Sequence, residues 1–395
     1  MEVNQIYSII NSVTQEILGS TAIVNEDLTN IVDIGKEIFN GESVDNYVKS
    51  LVNHIGKVVF NNRTYTGSVP SVFMDSWEFG SVLEKVSADI PVATENSSWS
   101  LQNGQSYDTN VFYKPSVSVK FFNDRVTFEV PMSFTEKQIK ESFSSAEQLN
   151  GFISMLFNAV EKSMTVKLDS LVMRTINNMI AQTVFSDLGE PDDTTGYSEL
   201  TGTKAVNLLK LYNDKFDENL TADEALSDPA FIKFASYTIG IYKDRLSKMS
   251  TLFNVGGKER FTSVEDLRIV LLSDFKASTS SYLESVTFHN ELVKLPKAET
   301  VPYWQGSGTD YSFGNVSQID VKIEAEVNNN PVKKTVKIDG ILGVMFDKEA
   351  LGVTNLDRRV TSSYNPKAEF YTNWFKMDAG YFNDLNENFV VFFIA

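Results

Sequence analysis

The sequence predicts an α+β fold. Three observations carry it. Residues 149–180 place apolar side chains three or four apart, and neither Gly nor Pro interrupts 152–188. Segments 116–131 and 321–339 each hold two alternating apolar runs around a short polar break, the pattern of paired strands. The stretch FVVFFIA at 389–395 is apolar throughout and short, so it reads as a buried strand.

In chain order, the first 60 residues read as short amphipathic helices. Ile6, Ile9, Ile10, Val13 and Ile17 form one stripe, with Gly19 as its stop. Leu28, Ile31, Val32 and Ile38 form a second stripe ending at Gly41, and Val44, Tyr47, Val48, Leu51, Val52 and Ile55 a third. Each stripe is narrow and wants a partner surface. From 61 to 132 Gly, Ser, Asn and Thr take over, as in NNRTYTGSVPS (61–71) and ATENSSWSLQNGQSYDTN (93–110). SVSVKFF (116–122) and RVTFEVP (125–131) flank Asn123-Asp124, whose chemistry suits a two-residue hairpin turn. This region is long, polar and thin, which predicts an extended two-stranded loop rather than a compact core. Pro131 is expected to end the strand, and Ser133-Phe134-Thr135-Glu136, of capping-box form, to open a short helix.

Ser145, with Gln148 three residues on, is the expected start of the long helix. At 1.5 Å per residue, about 38 residues make a rod of roughly 57 Å. Its apolar stripe is wide rather than strictly heptad and has few flanking charges, so a scaffold helix packed along a sheet fits better than a coiled coil. DLGEPDDTTGYSE (187–199) reads as a loop. KAVNLLKLYNDKF (204–216) and PAFIKFASYTIGIYKDRLSKMS (229–250) read as helices, and Thr221 with Glu224 between them has capping-box spacing. VKIEAEV (321–327) and VKKTVKID (332–339) are expected to pair around Asn328–Pro331, and ILGVMF (341–346) to form a buried strand.

Composition excludes several functions. Lys and Arg number 35 against 52 Asp and Glu, a net charge of −17. Coating a duplex or docking on anionic lipid needs the opposite sign. The absence of cysteine excludes disulfides, thiolate metal sites and Cys nucleophiles. MEVNQIYSII lacks the basic start and apolar run of a secretory leader, and no run approaches the roughly 18–20 apolar residues of a membrane span. The expectation is a chain made inside the cell, with no membrane partner.

Signatures of chemistry are equally thin. Gly256-Gly257-Lys258 hints at a phosphate loop, but the required first Gly falls at Leu252 and Glu259 stands where a hydroxyl residue belongs. A loop turn is the plainer reading. A zinc site without cysteine would need both His54 and His289 plus a carboxylate. Glu190, Asp192 and Asp193 lack the order of a calcium loop. Tyr303 and Trp304 could stack on a sugar, though a buried aromatic corner outweighs that. The sequence thus predicts no catalytic residue, cofactor or metal.

FEVPMSFTEKQIKESFSSAEQLNGFISML (128–156), VNLLKLYN (206–213), LSKMSTLFN (246–254), RFTSVEDLR (260–268), VPYWQGSG (301–308) and, above all, the run from Gly343 to Ala395 resemble the major capsid proteins of short-tailed phages of Gram-positive bacteria. The similarity runs with gaps from about residue 60 onward. It implies the Hong Kong 97-type fold: an N-terminal arm (1–60), an extended loop (61–132), a P-domain with its spine helix (133–193), an A-domain (194–345) and a C-terminal return completing the P-domain (346–395). It also implies hexamers and pentamers of an icosahedral shell enclosing double-stranded DNA, a virion location after synthesis in the bacterial cytoplasm, and scaffolding and portal proteins as partners. An encapsulin-like cellular shell is the alternative within the fold, and a surface sugar-binding protein the alternative outside it. Asp357, Arg358 and Arg359 are the candidates for an intersubunit salt-bridge cluster. Asn123 and Asp124 are the assembly candidates at the loop.

Overall fold

The computed structural model describes residues 3–18, 24–25, 30, 32–34, 50, 69–74, 82–135, 146–191, 195–284, 298–304, 317–327 and 330–395. In chain order these form α1 (Val3–Leu18), β1 (Phe73–Met74), β2 (Leu83–Ala88), β3 (Val117–Phe122), β4 (Arg125–Thr135) and the long helix α2 (Ala146–Leu188). Next come β5 (Ala205–Asn207), α3 (Leu208–Phe216), α4 (Ala222–Ala225), α5 (Pro229–Leu246), β6 (Leu267–Leu272), α6 (Ser273–Glu284) and β7 (Glu299–Val301). The last third is β8 (Ile319–Val327), β9 (Asn330–Ile338), β10 (Ile341–Asp347), β11 (Leu351–Asn365), β12 (Phe370–Asn383) and β13 (Phe389–Phe393).

One helix joins two sheets. α2 has 43 residues and is about 65 Å long at 1.5 Å per residue. It lies against β4, β11 and β12 of a four-stranded sheet ordered β1-β11-β12-β4. It also touches β5 and β13 of a five-stranded sheet ordered β5-β13-β10-β6-β7, and the separate ladder β8-β9. Val160, Met164, Leu168, Leu171, Val172, Ile176, Met179 and Ile180 are buried, so the predicted stripe is the seam. At the C-terminal end Asp187 accepts the backbone N–H of Lys204 (2.7 Å) and of Ala205 (2.8 Å), which aims β5 into its sheet. The capping box at Thr221 and Glu224 forms as expected and opens α4.

Several expectations need correction. Asn123-Asp124 is not a hairpin turn. β3 pairs with β2, while β4 pairs with β12, so the two residues carry the chain from one sheet to another. The alternation of each strand was legible, but period two does not name a partner. Pro131 does not end a strand, and Ser133–Thr135 are strand rather than the first turn of a helix: β4 runs to Thr135, with Pro131 opposite Trp374, while 136–145 lie outside the described residues. β4 is an edge strand, where a missing N–H is tolerated. Ala205–Asn207 is a strand beside β13 rather than the first turn of a helix. β8 and β9 pair as far as Val327 opposite Asn330, which places Pro331 inside the ladder.

The segment 346–395 divides between sheets. β11 and β12 lie in the four-stranded sheet, whereas β13 lies inside the five-stranded one, parallel to β5 and antiparallel to β10. Phe389, Val390, Val391, Phe392, Phe393 and Ile394 are all buried there. Of the second and third helices of the first 60 residues, 32–34 and Ser50 are described and are helical, and the start at Ser145 lies outside the described residues.

Candidate functional site

β2 and β3 form a two-stranded ribbon with register Leu83↔Phe122 through Ala88↔Val117. Side chains alternate across it. Leu83, Lys85, Ser87, Ser118, Lys120 and Phe122 face the body and are half-buried. Glu84, Val86, Ala88, Val117, Val119 and Phe121 face outward and are exposed. The polarity is inverted, with the cations inward and most of the apolar groups outward. Beyond the ribbon, the connecting loop carries Trp99, Phe112 and Tyr113 at 97%, 84% and 85% exposure. Large apolar side chains exposed in such number on one ribbon and its loop are the mark of an interaction site.

The inward face ends in a charge network. Lys85 and Lys120 stand directly opposite each other, an arrangement that by itself destabilises a ladder. It is tolerated because carboxylates lie beneath. Lys85 Nζ is 2.7 Å from Glu387 Oε1, 3.0 Å from Asp384 and 3.3 Å from Glu349. Lys120 Nζ is 2.8 Å from Asp384 Oδ1, and Arg260 Nε is 3.3 Å from Glu387. Asp384 is 2% exposed and Glu387 6%, so both depend on these partners. Burial opposes the ionisation of Asp384, yet hydrogen bonds from Lys120 and the Asn386 backbone, with the charge of Lys85, hold its carboxyl below the usual range. Burial likewise opposes the charge on Lys85, but Glu387 and Asp384 raise its pKa overall.

The backbone around this network is tightly tied. Asp384 N–H donates to Ala350 O (2.7 Å), Asp347 N–H to Asn388 O (3.0 Å) and Gly256 N–H to Leu385 O (2.8 Å). A Cβ on Gly256 would overlap the Asn386 side chain. Gly256-Gly257-Lys258 is thus a packing turn. Lys258 reaches Asp89, just past β2, at 2.9 Å and ties the ribbon a second time.

The residues named from sequence lie elsewhere. Asp357 and Arg359 come together on the outer face of β11, with Arg359 Nη1 3.1 Å from Asp357 and 2.5 Å from Asp378 on β12. Asp378 also accepts from Thr127 Oγ1 at 2.6 Å, and its carboxyl is held below the usual range, chiefly by the Arg359 hydrogen bond. Arg358, one residue earlier on the alternation, is half-buried and outside that cluster. Asn123 and Asp124 are exposed, and Asp124 O accepts from Tyr381 N–H at 3.1 Å. Sequence reasoning missed the Lys85, Lys120, Asp384 and Glu387 network. Its signal was two lysines on the same alternation as Leu83 and Phe122, and an acidic turn between two apolar strands.

Among the described residues, no group of three or more His, Asp and Glu side chains is arranged to hold a metal. Glu190 pairs with Lys334, while Asp192, Asp193, His54 and His289 lie outside the described residues. Trp304 is buried and donates its indole N–H to Ile341 O at 3.0 Å, so it is a core residue rather than a sugar platform. No helix among the described residues is long and apolar enough to cross a membrane.

The Phi29-like phage major capsid protein family matches residues 8–393. The chain belongs to that family. The capsid structure of Staphylococcus phage Andhra is similar over 85% of this chain and 87% of that one, with TM-score 0.51 and 10% identity, a likeness of fold. The capsid structure of the cyanophage P-SCSP1u aligns over 85% of this chain and 93% of that one, with TM-score 0.44 and 9% identity. No curated protein matches the sequence. This family of capsid proteins is structural rather than enzymatic, and the protein's role is in the shell of a virion. For such a protein, the outward apolar face of the ribbon and the exposed aromatics are the features to explain.

Proposed function

We propose that this capsid protein closes an icosahedral shell of hexamers and pentamers around packaged double-stranded DNA, as the Hong Kong 97-type fold does. In this reading the ribbon and its connecting loop are the extended loop, and α2 is the spine helix of the P-domain. Segment 1–60 is the arm and 194–345 the A-domain, while 346–395 is shared between the sheets. The observation that carries the reading is the inverted ribbon. Val86, Val117, Val119 and Phe121, with Trp99, Phe112 and Tyr113, gain nothing in the lone chain and are suited to the surface of a neighbouring copy. Asp357, Arg358 and Arg359 then form a second seam, and Asn123-Asp124 the pivot below the ribbon. A net charge of −17 suits a wall that encloses DNA without gripping it. A scaffolding protein and a portal complete the assembly.

The test is electron microscopy with sedimentation velocity on the purified chain, co-expressed with its scaffold. Closed particles of uniform diameter are expected. The triple substitution Trp99→Ser, Phe112→Ser and Tyr113→Ser should leave the thermal melt unchanged and abolish particles. Uniform particles from the triple variant would remove the ribbon as the carrier of assembly.

A further inference from the structure

The ribbon meets the body through charges as well as through apolar surface. Phe122 meets Phe382 with ring centroids 5.1 Å apart, at the end of the ribbon nearest β4. Beside it lies an ionic network. Lys85 and Lys120 come from β2 and β3; Arg260, Glu349, Asp384 and Glu387 come from three separate body segments. The count balances at three cations and three carboxylates only while the ribbon is seated. If the ribbon swung away, Asp384 would lose both its cations and Glu387 would keep Arg260 alone. The connection to the sheet also suits a pivot, since Asn123 and Asp124 are exposed and end the ribbon at one point.

We infer that Lys85, Lys120 and Arg260 with Glu349, Asp384 and Glu387 form a releasable ionic latch that fixes the direction in which the ribbon leaves the body. An apolar seat would bind the ribbon in many nearly equal positions, because apolar contact is non-directional. Charge pairs of fixed geometry accept few positions, because each misplaced carboxylate loses the hydrogen bonds and charge of its partner. The latch therefore sets an angle. This deepens the shell reading: in a shell, the angle at which each ribbon reaches its neighbour sets the local curvature, and that consequence rests on the shell reading. The latch itself does not.

The chain has no cysteine, so a pair of introduced thiols is unique. Ser106→Cys on the connecting loop and Lys248→Cys on the body would be spin-labelled, and their distance distribution measured in the unassembled full-length chain. A single narrow peak is expected. Adding Lys85→Met and Lys120→Met should replace it with a broad distribution, while the circular dichroism melt stays cooperative. An unchanged narrow peak in a folded double variant overturns the latch. Should the double variant fail to melt cooperatively, Lys120→Met alone is measured in its place; this lysine is partly exposed and Lys85 remains to cover Asp384. Broadening is again expected, and a peak of unchanged width overturns the latch likewise. The distances are read before assembly, so a chain that never forms particles counts against the shell reading and leaves the latch standing.

Discussion

Gly340 has φ +70°, and a Cβ placed there would stand 1.6 Å from the backbone oxygen of Ile394. The same glycine accepts the Ile394 N–H at 2.8 Å, so the close approach is what fastens the far end of β13. Gly340→Ala is expected to cost about 2–4 kcal/mol, from left-handed backbone strain plus overpacking, read as a lower denaturant midpoint at unchanged slope. The latch residues carry a pH dependence at the same scale. Asp384 has its pKa lowered by folding, so its contribution is present above the ordinary carboxylate range and is lost as pH falls through the lowered value. Lys85 has its pKa raised, so its contribution is present below the ordinary lysine value and is lost as pH rises through the raised one. Amide protection of β2 and β3 should therefore be flat between about pH 5 and 9 and fall below about 4 and above about 10.5. Asp384→Asn should weaken the acid limb of that profile. None of these residues stood out in the sequence. Lys85 and Asp384 are nearly 300 positions apart, and only the fold brings them together.

At the scale of elements, the strands whose side chains are apolar on both faces were legible, because a short apolar run rich in β-branched and aromatic residues is too short for a helix and suits the inside of a sheet. β10 and β13 are of this kind, and so in its own way is α2, whose stripe repeats too regularly over too many turns to be anything else. Pairing was not legible. β3 and β4 follow each other across two turn-forming residues and still choose different partners, because β12 offers β4 eleven positions of register and β2 already occupies β3. Ser133–Thr135 illustrate the same limit: a local capping pattern yields to the long-range pairing with Phe370–Thr372. β13 joins β5 to β10, so its loss splits the five-stranded sheet. Its buried side chains contribute on the order of 1.5–3 kcal/mol each, a sum that rivals the roughly 5–15 kcal/mol by which a whole domain is stable. Truncation after Asn388 should abolish the cooperative melt. A soluble, cooperatively melting product would show that β13 is dispensable.

For the whole molecule, the division is between a body that holds itself and surfaces that wait for a partner. The Asp357 and Arg359 group lies on the outer face of the four-stranded sheet and makes exposed pairs of a kind worth about 0–1 kcal/mol. Arg358→Glu with Arg359→Glu places carboxylates beside Asp357 and Asp378, so it should lower the melting temperature while leaving the melt cooperative, yet fail to close particles in sedimentation velocity. Particles of normal size would retire that seam. The position of β13 has a further consequence, in time rather than in energy. Translation at about 5–20 residues per second needs roughly 20–80 seconds to reach residue 389. From the completion of β10 until then, β5 and β10 have the gap between them open, two edges awaiting the strand that joins them. The five-stranded sheet is therefore unfinished until residue 393 has been made, and until then its open edges are available for wrong pairing.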